Sequence, residues 1–206
     1  MVLGDADQWI SSFRAVNQRF TEKIVSHWPA CRALITLDAY EDDITNNLVN
    51  LLCKDSEVRR IGWPEAQYVP LELEGSAGGV VGKGYIDIAL ILDGDRDKYV
   101  AYECKKLNVN QASLATPYVK DGLQRYIQQQ YSRALPVASM LGYVMDGRMK
   151  KAFERVHKAI NDHTDDQNFI PEISGSYEFG THASFRTVHI KLDNSPIEIN
   201  HTFLSL

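Results

Sequence analysis

The sequence predicts an α/β fold, with a mixed central sheet flanked by helices. Three observations lead there. Four stretches carry apolar residues at helical spacing. Two apolar, β-prone runs face each other across a turn. The elements succeed one another as α-α-β-β-β-α-β-α-β-β, an order that suits a sheet with helices packed on it.

Phe13, Val16, Phe20, Ile24 and Trp28 recur every three or four residues, which predicts an amphipathic helix over 10–28. Residues 41–53 predict a second, with Ile44, Leu48 and Leu51 as its stripe and acidic residues at its positive end. Residues 65–73 read as a strand, which Pro70 confines to an edge or a bulge. A Gly-rich loop comes next, over 75–84. Tyr85–Leu92 is almost wholly apolar, Asp93-Gly94-Asp95 supplies turn chemistry, and Tyr99–Leu107 is a second run. The two runs read as a hairpin of central strands covered on both faces. Residues 117–134 predict a helix with Val119, Leu123, Tyr126, Ile127 and Gln130 on one side, ended by Pro136. A strand over 139–145 and a helix over 148–161, with Met149, Phe153, Val156 and Ile160 inward, come after it. The tail from 163 is turn-rich and then carries strands over 184–192 and 197–205.

A chain of 206 residues, 44% apolar and 24% charged, suits one globular domain over 1–206. The net charge of −5 means that the surface as a whole does not attract nucleic acid. Any such contact needs a local basic patch. Cys31, Cys53 and Cys104 form no CxxC pair, so neither a zinc ribbon nor a disulfide framework is expected. The first residues lack a basic start followed by an apolar run, and no apolar stretch reaches membrane-spanning length, so a cytoplasmic location with no membrane partner is expected.

Three charged residues, Asp87, Glu103 and Lys105, lie within the apolar hairpin. A buried charge needs a partner, a metal or a cavity. Side chains alternate along a strand, so Glu103 and Lys105 share a face. If the turn pairs Asp93 with Lys98, Asp87 lies opposite Cys104; a bulge or a small register change sets it beside Glu103. Two adjacent carboxylates repel, and hard oxygen ligands suit Mg²⁺ or Mn²⁺. Such an ion polarises a phosphate oxygen and lowers the pKa of water, while an ammonium beside it steadies the charge building on the phosphate. The competing structural reading is a buried ion pair of Glu103 with Lys105 or Lys106.

Ile86-Asp87, followed after fifteen residues by Glu103-Cys104-Lys105, resembles the PD-(D/E)XK superfamily of restriction-type and repair nucleases. Ile86 stands where the family's name places a proline. The resemblance covers about residues 40–145: a hairpin that follows a helix and precedes another. It implies a restriction endonuclease-like fold and a Mg²⁺- or Mn²⁺-dependent nuclease, with Asp87 and Glu103 as metal ligands and Lys105 as the catalytic lysine. Members often carry a further acid on the first core helix. Glu41, Asp42 and Asp43 are the candidates, and Glu41 shares the inward stripe with Ile44 and Leu48. Members also place a polar residue of the helix after the motif near the phosphate. Lys120, Gln124 and Arg125 are candidates, and with Lys105 and Lys106 they offer the local basic patch. DNA is expected ahead of RNA, in restriction or antiphage defence, with a homodimer or a partner subunit supplying targeting. The alternative is a non-catalytic interaction subunit built on a nuclease fold.

Gly78–Gly84 fails as a phosphate-binding P-loop: Ala77 and Gly84 stand at required positions, and the loop precedes a strand. It reads as a loop beside the site, with Lys83 as a candidate phosphate contact. The six histidines show no metal-ligand spacing, and His182 is a lesser candidate for substrate contact.

Overall fold

The computed structural model describes residues 6–74, 79–82, 84–108, 110, 114–131, 135–162 and 182–206. It is a mixed α/β structure with a six-stranded sheet between two helical layers. Helices α1 (Ala6–Arg32), α2 (Glu41–Lys54) and α3 (Ser56–Ile61) come first. Strand β1 (Trp63–Tyr68) is next, then a two-stranded ribbon of β2 (Leu71–Glu74) and β3 (Gly79–Gly82), and then the hairpin β4 (Ile86–Leu92) and β5 (Asp95–Leu107). A short α4 (Ala115–Pro117) leads into a π-helical segment (Tyr118–Leu123) and α5 (Gln124–Ile127). Strand β6 (Val137–Val144), helix α6 (Met149–Asn161), and strands β7 (His182–Ile190) and β8 (Pro196–Ser205) complete the chain.

The sheet order is β1-β4-β5-β6-β8-β7. β6 pairs parallel with both β5 and β8, while the β1–β4, β4–β5 and β7–β8 pairs are antiparallel. Parallel strands need cover on both faces. α1, α2 and α3 supply one cover, through Phe20, Ile24, Trp28, Ile44, Leu48 and Leu52. The π segment, α5 and α6 supply the other, through Tyr118, Leu123, Tyr126, Phe153, Val156 and Ile160. Among the described residues, no helix is long and apolar enough to cross a membrane.

Four expectations change. Residues 65–73 form two strands in different sheets. Gln67 adopts a positive φ of 51° and is skipped by the β1–β4 ladder, and Pro70 comes before β2 begins. The expected loop over 75–84 contains β3, while residues 75–78 and Lys83 lie outside the described set. The inward stripe of α2 runs through Leu52, with Leu51 only half-buried. The helix expected over 117–134 ends at Ile127; Gln130 is exposed and Tyr131 is buried in its stead. Residues 132–134, and the turn-rich tail over 163–181, lie outside the described set.

Candidate acidic site at the end of β5

The hairpin register sets the site. Ile88 pairs with Tyr102 and Ile91 with Tyr99, whereas Leu92 pairs with Asp95, so the ladder shifts between Ile91 and Leu92. The turn is therefore tighter than an Asp93–Lys98 pairing, and Asp87 falls level with Glu103 instead of Cys104. β5 also outruns the start of β4. Along that uncovered edge two backbone N–H groups lack a strand partner, and carboxylates take them. Cys104 N donates to Asp87 Oδ2 at 2.6 Å, and Lys106 N donates to Glu41 Oε2 at 2.6 Å. Glu41 arrives from the first turn of α2, while Asp42 and Asp43 face solvent.

Glu103 is 0% exposed, deep on the opposite helical face. Lys105 Nζ donates to its Oε1 at 2.8 Å, Arg125 donates to the same oxygen at 2.9 Å, and the Tyr131 hydroxyl meets Oε2 at 2.5 Å. A buried carboxylate with three donors is a satisfied one. The Lys105 ammonium stands between the acids: 3.2 Å from Glu41 Oε1, 2.8 Å from Glu103 Oε1 and 3.8 Å from Asp87 Oδ2. Burial opposes its charge, but Glu103, Asp87 and Glu41 outweigh burial and raise its pKa, so it stays an ammonium at neutral pH. Asp87 moves the other way from an ordinary carboxylate. Burial first, and then the Glu103 charge, raise it to about 7 against the pull of Lys105.

The sequence-predicted residues thus separate into two groups. Glu41, Asp87, Glu103, Lys105 and Arg125 converge. Lys106 lies alongside, with its ammonium on the Ala39 carbonyl. Lys120 is exposed on the π segment, and Gln124 is half-buried at the start of α5. Lys83 lies outside the described residues. His182 pairs with Leu204 on β7, three strands away from β5, and lines a groove of about 720 Å³ against α1. Tyr131 is the site residue that sequence spacing does not reveal. Its only signal is an aromatic at the end of a polar Gln-Gln-Gln run.

Do these groups fit a divalent ion? The donors are carboxylate oxygens, the chemistry that Mg²⁺ and Mn²⁺ select. Three acids (Glu41, Asp87, Glu103) stand against two cations (Lys105, Arg125), which leaves negative charge in excess once Asp87 loses its proton, above about pH 7. The spacing is that of a set closed on the Lys105 ammonium. Among the described residues no group of three or more His, Cys, Asp or Glu is arranged to hold a metal ion. The donor set fits, and loading it requires Lys105 Nζ to withdraw from between the acids.

Comparison with models of known protein families, with curated proteins and with solved structures gives no match.

Proposed function

We propose that this protein is a Mg²⁺- or Mn²⁺-dependent nuclease of the restriction endonuclease-like kind, acting on DNA ahead of RNA, by hydrolysis of a phosphodiester bond. The observation that supports the reading is the convergence of Glu41, Asp87, Glu103 and Lys105 at one end of β5, reached through the β4–β5 hairpin. The succession of α2, this hairpin and the π segment with α5 supports it further, since the resemblance requires a helix on either side of the motif strands.

In this reading Asp87 and Glu103 hold the ion, and Glu41 completes the acidic shell. The ion supplies polarisation of a phosphate oxygen and acidification of water. The chain's own groups do the rest. The Lys105 ammonium steadies the charge that grows on the phosphate as water attacks. Arg125 and Tyr131 pin both oxygens of Glu103, so that the acid keeps its orientation when the ammonium moves. The bond from phosphorus to the leaving oxygen breaks, yielding a phosphate monoester and an alcohol.

Plasmid DNA incubated with Mg²⁺ or Mn²⁺ tests this. Wild type is expected to nick it, and Glu103→Ala and Lys105→Ala are each expected to lose about 100-fold or more in rate. Equal cleavage by all three would point to a contaminant. A second reading, a non-catalytic interaction subunit, is favoured by the ammonium already seated among the acids. Calorimetric titration with Mn²⁺ separates the two: saturable binding that Asp87→Asn removes supports the nuclease. No binding, with no cleavage of DNA or RNA, supports the subunit.

A further inference from the structure

We infer that the site takes nucleic acid with unpaired bases, and that Tyr40 and Tyr85 are the surfaces on which those bases stack; the inference rests on the nuclease reading above. The first ground is placement. Among the described residues the exposed aromatics are Tyr40, Trp63 and Tyr85, and two of these three flank the acidic site. Tyr40 is 79% exposed and immediately precedes Glu41; Tyr85 is 62% exposed and lies two residues before Asp87.

The second ground is anchoring. The Tyr40 carbonyl accepts from Ile44 N at 3.1 Å, which fixes it on the first turn of α2. The Tyr85 carbonyl lies 2.8 Å from the Tyr131 hydroxyl, the same hydroxyl that meets Glu103. The Tyr40 backbone is thus held in the first turn of α2 beside Glu41, and the Tyr85 carbonyl sits against the hydroxyl that meets Glu103, while both rings stand in water. An aromatic ring so placed offers a face to a base at little entropic loss.

The third ground is charge. A protein that tracks a duplex does so through cations free to meet phosphates. Here Lys105 and Arg125 are engaged by Glu103, and the Lys106 ammonium is on the Ala39 carbonyl. Of the predicted basic patch, two cations are held by an acid and a third by a backbone carbonyl, which leaves the exposed Lys120 to meet phosphates, within a chain of net charge −5. Affinity must come from another source, and base stacking is the one these two rings supply. Every base has a π-face, but a duplex hides it, so stacking of this kind selects unpaired strand.

The test is fluorescence anisotropy with labelled oligothymidine and with a blunt duplex of equal length, in EDTA so that binding is read without cutting. Wild type is expected to bind the single strand at least about tenfold more tightly than the duplex, with a shallow salt dependence matching about one or two phosphates. Tyr40→Ala and Tyr85→Ala are each expected to weaken binding by about tenfold, and Tyr→Phe at either position to restore it. Both rings are exposed, so these variants keep the fold. Duplex binding as tight as single-strand binding, or alanine variants that bind like wild type, would overturn the inference. Its failure is separable from that of the nuclease reading. Single-strand cleavage at full rate by both alanine variants removes the stacking surface and leaves hydrolysis standing. Tyrosine-dependent strand binding without cleavage in Mg²⁺ or Mn²⁺ does the reverse.

Discussion

Asp87 carries the least compensated charge of the cluster, because burial and Glu103 both work against its ionised form. Its folded pKa of about 7 stands above the ordinary 3.8, so the folded protein holds a proton there that the unfolded chain releases. The stability this gives is fully present below pH 3.8 and is lost as pH rises through about 7. Asp87→Asn keeps an acceptor for Cys104 N and removes the charge. At pH 8 without metal, the variant is expected to be more stable than wild type by about 2–4 kcal/mol, read from urea denaturation. The same substitution is expected to abolish cleavage, so one residue trades stability for activity. Tyr131→Phe is a milder probe. It removes one hydroxyl from Glu103 Oε2 and from the Tyr85 carbonyl, with an expected loss of about 1–2 kcal/mol in stability and about tenfold in kcat, with KM little changed.

The π-helical segment decides how the second helical layer meets the site. Single-turn π insertions recur at functional positions because the extra residue re-aims the next turn of helix. Here Gly122 lets the segment lie close to β5 and β6: a Cβ added there would come 2.5 Å from Met140 Cε and 3.5 Å from Glu103 Cγ. Met140 is fully buried, so its terminal methyl must move within the core to make room. Gly122→Ala is expected to lower stability by about 1–3 kcal/mol, seen as a fall in Tm. The π segment also explains what is and is not legible in the sequence. α6 keeps strict 3.6-residue phase, and its inward residues, Met149, Phe153, Val156 and Ile160, are those the spacing predicts. The added residue in the π turn, and the stop at Ile127, break that phase, so spacing sets Gln130 inward and gives no sign of Tyr131. α3, β2 and β3 are too short to show a period. The acids are legible because charge inside an apolar strand is conspicuous. The ammonium seated among them is not, since spacing gives adjacency and says nothing of which group occupies the centre.

Across the whole molecule, pH acts through two opposed sets of groups. His189, pushed down to about 3 by burial, and His201, held well below its ordinary value by burial and by His189, sit neutral in the core. The Thr187 hydroxyl links their Nε2 atoms at 2.6 and 2.8 Å, and the Tyr118 hydroxyl meets His201 Nδ1 at 3.0 Å. Both histidines take up a proton on unfolding once pH falls below about 6.5, so their contribution is present above that value and is lost toward pH 3. Asp87 offsets one of these protons in wild type. Between pH 4 and 6, Asp87→Asn is therefore expected to lose stability with falling pH more steeply than wild type, by about 1.4 kcal/mol per pH unit. The acidic cluster has a consequence at this scale as well. Its members come from α2, β4, β5, α5 and the turn beyond, and thus from both layers and the sheet between them. It works as a clasp that closes only when every layer has docked, so its like charges crowd one another only at the last stage of assembly. Relieving that crowding with Asp87→Asn should slow unfolding and leave the refolding rate nearly untouched.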